Sequence, residues 1–118
     1  MRTFAGLVDR DPEPLAYDES RAGEIVGAYE DDASQLTITR TSVPGIQLEV
    51  RMKPEVRAAY RDMPPDYEPF DLGLLPGDTD EYILTSGAFS GQRGFFTRDH
   101  GGAVVGVDLA GRLYKRAA

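Results

Sequence analysis

The sequence predicts a small all-β protein: an eight-stranded antiparallel up-and-down barrel preceded by one short helix. Three observations lead there. From Ala28 onward apolar residues alternate with polar ones at the period of a strand that is buried on one face. Short Gly-, Pro- and Asp-rich turns separate the alternating runs, and none of the spacings suits a βαβ crossover. A chain of 118 residues holds one core, and eight strands with one apolar face close most economically into a barrel, which removes the edges. A half-open sandwich is the alternative.

The elements follow in order. Residues 1–17 carry a small apolar patch, Phe4, Leu7 and Val8, and then DRDPEP, where Pro12 and Pro14 forbid a helix and favour an extended, linker-like arm. The barrel domain is expected over 18–118. Residues 18–27 suit a short helix with Asp18 as N-cap, Glu19 in the first turn and Gly27 ending it in the left-handed conformation. Strands are expected at AYE (28–30), QLTITR (35–40) and GIQLEVRMK (45–53), with Val43–Pro44–Gly45 as the turn between the last two. EVRAAYRDM breaks the alternation and predicts about two helical turns before Pro64–Pro65 stops them. Five more strands follow: EPFDLGLL (68–75), EYILTSG (81–87), QRGFFTRD (92–99), AVVGVDL (103–109) and RLYKR (112–116).

The phase of each strand gives the barrel interior. Leu36, Ile38, Ile46, Leu48, Val50, Met52, Phe70, Leu72, Leu74, Tyr82, Leu84, Phe96, Val105, Val107 and Leu109 are all expected inward. A barrel of eight strands is either filled by side chains or holds one small ligand, so Leu48, Val50, Leu84 and Val107 are the candidate lumen residues. Phe95 and Phe96 cannot both point inward. Arg93–Phe95–Thr97 reads as the outer phase, which makes Phe95 and Arg93 a candidate docking surface, with Phe4 and Leu7 of the arm as its companions. The alternative is that the early helix or residues 54–67 cover the Phe95 ring.

Composition excludes much chemistry. The chain has no cysteine and a single histidine, His100, which removes disulfides, thiolate sites, multi-histidine metal centres and cysteine nucleophiles. Thirteen Lys and Arg stand against twenty Asp and Glu, for a net charge of −7, without the basic block that nucleic acid requires. Residues 1–35 hold nine acidic and three basic side chains, so most of the excess lies ahead of the strands. Eleven arginines against two lysines fit a GC-rich bacterial genome. No apolar run is long enough for a membrane-spanning helix and Met1–Arg2–Thr3 opens no signal-peptide core, so a cytoplasmic protein without a membrane partner is expected.

The motifs that invite catalytic readings fail on spacing. Ser90 lies in G-x-x-S-G rather than the G-x-S-x-G of a nucleophile elbow, and no helix follows it. Asp99 and His100 are adjacent, so on a strand they face opposite ways, and no nucleophile accompanies them. Asp31–Asp32 and Asp78–Thr79–Asp80–Glu81 lack the twelve-residue ligand pattern of a calcium loop. Arg112, Lys115 and Arg116 read as the basic end of a last strand. No cofactor and no metal are expected.

The order GAYE, LTITR, IQLEV, a Pro-rich stretch and EYILTSGAFSGQRGFFTRDHGGAVVGVDLAGRLYKR resembles the C-terminal domain of serine hydrolases related to class C β-lactamases and penicillin-binding proteins. The matching pieces are Gly27–Tyr29, Thr85–Ser86–Gly87, Phe96–Arg98–Asp99 and Gly111–Arg112–Leu113–Tyr114, spread over about residues 18–116. The resemblance implies a lipocalin-like barrel that influences active-site access, substrate choice or oligomerisation of its hydrolase. It makes residues 1–17 the linker leaving a catalytic domain. The nucleophile motif S-x-x-K of such catalytic domains is absent, since Ser20, Ser34, Ser42, Ser86 and Ser90 are all followed at the third position by something other than lysine. The expected function is therefore a non-catalytic accessory module that docks on a serine hydrolase catalytic domain in cis or in trans, with self-association a further possibility. A free-standing carrier of a small apolar ligand is the competing expectation.

Overall fold

A computed structural model describes residues 12–60, 62 and 64–117. Helix α1 (Glu19–Ile25) is followed by β1 (Gly27–Glu30), β2 (Ser34–Thr41) and β3 (Gly45–Met52), then by helix α2 (Pro54–Ala59). Strands β4 (Phe70–Leu74), β5 (Glu81–Leu84), β6 (Arg93–Arg98), β7 (Val104–Leu109) and β8 (Arg112–Arg116) complete the chain. The eight strands form a closed antiparallel barrel in sequence order, with β1 returning to β8. The seam is short: Tyr29 lies opposite Arg116, and Glu30 opposite Lys115.

Local chemistry explains the element boundaries. The Asp18 carboxylate accepts the Ser20 amide at 2.9 Å and the Arg21 amide at 3.3 Å, satisfying two of the orphan donors at the start of α1. The helix ends at Val26, whose backbone is extended, so Gly27 is not its left-handed stop but the first residue of β1, at φ +150°. In α2, Pro54 takes the first helical position, where its missing N–H costs nothing.

The core follows the strand phase. Leu36, Ile38, Ile46, Leu48, Phe70, Leu72, Leu74, Tyr82, Leu84, Phe96, Val107 and Leu109 are buried in one cluster, to which α1 adds Ala22 and Ile25. Val50 and Met52 are only half-buried, because they lie at the end of β3 away from α1. Val105 departs from its expected inward phase. It is 39% exposed while Val104 is 2% exposed and faces the core. The cause is a bulge: Thr97 pairs with Gly106 but Arg98 pairs with Val104, so one residue of β7 goes unmatched and the alternation inverts ahead of it.

The arm also differs from a free linker. The Leu15 amide donates to the Leu74 carbonyl at 2.7 Å and Tyr17 packs against the core cluster. Phe4, Leu7 and Val8 lie outside the described residues. No helix among the described residues is long and apolar enough to cross a membrane.

Candidate docking surface

The barrel has two ends, and α1 sits at one of them with the starts of β1, β3, β5 and β7. Its last carbonyls would be orphaned there. Arg116, at the end of β8, donates to the carbonyls of Glu24 at 2.9 Å and Val26 at 2.6 Å, and also to Val104 at 2.9 Å. The Tyr29 hydroxyl donates to the carbonyl between them, Ile25, at 2.6 Å. Three consecutive carbonyls at the helix C-terminus are thus satisfied by side chains from β8 and β1. A cation at this end also complements the helix dipole.

Arg98 fastens the same helix from the other side. Its guanidinium makes a two-point bond to Asp80, at 2.9 and 3.1 Å, and reaches Glu24 of α1 at 3.0 Å and the Gly102 carbonyl at 2.7 Å. Asp80 holds φ +56°, a conformation Asp tolerates better than most residues, and its carbonyl accepts the Phe96 amide at 2.9 Å. One side chain therefore joins α1, the turn before β5 and the turn after β6. The hydrogen bonds from Arg98 hold the Asp80 and Glu24 carboxyls below their ordinary ranges, against the opposing effect of desolvation. The two carboxylates hold the guanidinium above its own.

The sign of the pH dependence follows. A depressed carboxylate pKa gives stability that is complete above the ordinary value and is lost as pH falls through the folded-state value. Arg98→Met is expected to cost about 2 kcal/mol near neutral pH, between the roughly 1 of exposed pairs and the 3–5 of buried ones. The gap in Tm between the parent protein and Arg98→Met should then narrow below about pH 4. A gap that stays constant on acidification would remove Asp80 and Glu24 as the partners that matter.

Of the side chains that invited catalytic readings, Ser90 and His100 are exposed, and Ser86, Asp99 and Asp31 are engaged in turns. Ser86 Oγ accepts the Asp71 amide at 2.8 Å, tying the turn after β5 to β4. The Asp99 carboxylate accepts the amides of Gly101 at 2.9 Å and Ala103 at 3.0 Å, closing the turn that carries His100. Asp31 accepts the amides of Ala33 and Ser34 at 2.9 and 2.8 Å and pairs with Arg112 at 3.0 Å. Burial pushes the Asp31 carboxyl up, but those two amides together with Arg112 and Lys53 outweigh it and hold the group low. Among the described residues no group of three or more His, Asp or Glu is placed to hold a metal ion.

The proposed lumen residues Leu48, Leu84 and Val107 are fully buried in the core, with Val50 packed against it. Among the described residues, two open grooves stand out. One, of about 550 Å³, runs between residues 14–18, the β2–β3 turn and β4; another, of about 640 Å³, crosses the seam between residues 30–33 and 112–117. Leu48, Val50, Leu84 and Val107 line neither.

The outer wall of β6–β8 carries three of the exposed large apolar side chains among the described residues; Leu15, Val43, Tyr60, Tyr67 and Phe89 are exposed elsewhere. Phe95 is 46% exposed, so neither α1 nor residues 54–67 bury it. It stands in a cross-strand row with Glu81 of β5, Asp108 of β7 and Leu113 of β8, and Leu113 and Val105 are exposed as well. Arg93, two residues earlier on β6, is exposed on the same face. Sequence reasoning found Phe95 and Arg93 but missed Arg98, Arg116 and Asp80. The one signal for Arg98 was its place in the F-x-R-D strand end.

No family model and no curated protein matches the chain. Among solved structures it is similar to a crystal structure of SurE, at 23% identity and a TM-score of 0.60 over 91% of this chain. It is also similar to a crystal structure of SurE with D-Leu, at 20% identity and a TM-score of 0.58 over 90% of this chain. At these identities the likeness is one of fold. The chain spans 20% and 22% of the length of those two solved chains.

Proposed function

We propose that this chain is a non-catalytic docking module, a lipocalin-like accessory barrel that sits on a β-lactamase-related serine hydrolase catalytic domain in the same or another polypeptide. There it affects active-site access, substrate choice or oligomerisation. The observation that carries the reading is the row led by Phe95, an exposed aromatic that shares the β6–β8 wall with exposed Val105 and Leu113. Large exposed apolar groups rimmed by polar ones mark interfaces, and aromatics dominate their energetics. Two further facts support it. Ser86, Asp99 and Asp31 are occupied by bonds to backbone amides. In the SurE chains, a fold of this kind accounts for about a fifth of a longer polypeptide. The packed interior favours this module over a carrier, which would need a lumen of about 300 Å³ or more.

The test mixes the chain with a serine hydrolase catalytic domain that carries S-x-x-K and is encoded beside it. Association, or a change in kcat/KM, is expected. Phe95→Lys should weaken association at least about tenfold, equivalent to 1.4 kcal/mol, with little change in Tm, because the ring is 46% exposed and a cation between Glu81 and Asp108 meets no like charge. Absence of both association and a kinetic change with the unmodified chain would end the proposal.

A further inference from the structure

Residues 14–17 belong to the stretch whose prolines suggest a linker, yet three anchors tie them to the barrel. Pro14 lies on the outer face of β4 at Gly73, where an added Cβ would come within 2.9 Å of Pro14 Cγ and closer still to its Cβ. Leu15 donates its amide to Leu74 at 2.7 Å. Tyr17 packs against the core, and its hydroxyl donates to Glu19 of α1 at 2.5 Å. Glu19 pairs in turn with Arg40 of β2. The anchors therefore engage β4, the core, α1 and, through Glu19, β2. Beside them Leu75 and Ile83 are buried although they stand outside the core cluster, and Ile83 is the cross-strand neighbour of Gly73.

We infer that residues 14–17 are a fixed strap, a positioning device that sets the path by which the upstream chain reaches the barrel. Proline at position 14 makes the strap less costly to order, since its φ is already restricted in the unfolded chain. The placement of anything joined upstream is therefore set, at residues 14–17, by the β4 wall rather than by a free tether. The inference goes beyond the docking reading, because the strap holds whether or not a hydrolase binds.

The absence of cysteine makes site-directed spin labelling direct. Labels at Glu13→Cys and Lys115→Cys in the full chain should give one narrow distance distribution. Gly73→Val, whose side chain would displace Pro14, should widen it about twofold or more, and Pro14→Gly removes the same contact from the strap side should Gly73→Val fail to fold. In hydrogen exchange the Leu15 amide should be slowed on the order of 100-fold or more, in common with the barrel amides of Leu84 and Gly91. A broad distribution in the parent, or free exchange at Leu15 while Leu84 and Gly91 stay protected, would overturn the inference.

Discussion

Replacing Leu48 with Asp should leave no folded protein at room temperature. Leu48 is 0% exposed, between Ile38 of β2 and Phe70 of β4, and the surrounding cluster consists of aliphatic and aromatic side chains. An aspartate there loses roughly 1.5–3 kcal/mol of apolar burial. It also faces several kcal/mol for desolvating a carboxyl group without a partner. Together these are comparable with the whole stability of a domain this size, about 5–15 kcal/mol. Far-UV circular dichroism and a thermal melt measure it. Val50→Asp is the control: Val50 points the same way but is half-buried, so its carboxylate can reach water and the loss should be smaller. A Leu48→Asp protein that melts like the parent would mean that the inward phase of β3 is wrong.

Gly94→Ala should be the most damaging one-carbon change in the barrel. Gly94 pairs with Tyr82 across β5 and with Leu109 across β7, and the Tyr82 ring lies over it to donate its hydroxyl to the Asp108 carbonyl at 2.6 Å. A Cβ at position 94 would fall well under 3.0 Å from both that hydroxyl and that carbonyl. One of these atoms belongs to the backbone of β7 and cannot move without breaking the ladder. The usual gain from replacing a flexible glycine, about 0.4–1 kcal/mol, is outweighed. A loss of about 3 kcal/mol or more is expected, the upper end of overpacking plus an unmade buried bond. Tyr82→Phe separates the two contributions, because it removes the hydroxyl without a clash and should cost about 1–2 kcal/mol. Burial holds the Tyr82 phenol well above its ordinary pKa, so it remains a donor throughout the accessible pH range. Gly94→Ala melting no lower than Tyr82→Phe would show that the strands shift apart at little cost.

These two expectations differ in how far the sequence could reach them. Leu48 sits in GIQLEVRMK, where alternation is strict and a single strand suffices to say which side chains face inward. Gly94 carries no such mark. Its need to remain glycine arises from a tyrosine twelve residues earlier and a carbonyl fourteen residues later, which only the pairing of β5, β6 and β7 brings against it. Phe95 was legible for the same reason as Leu48, since two neighbouring aromatics on a strand must part. Val105 was not, because the bulge at Thr97 and Arg98 resets the phase of β7 and is visible only in the pairing of two strands.

The sequence by itself determined the number and order of the strands, the early helix with its Asp18 cap, and the inward face of most strands. These are local properties, written in a period of two or in the chemistry of one turn. Only the tertiary structure decided what the charged residues do. Arg98 meets Glu24 across 74 residues of sequence and Arg116 meets the Glu24 carbonyl across 92, and closing the barrel brings those groups together. The docking of residues 14–17 on β4 was decided in the same way. Composition marked that stretch as a linker, but a glycine on a distant strand gave Pro14 a place to lie.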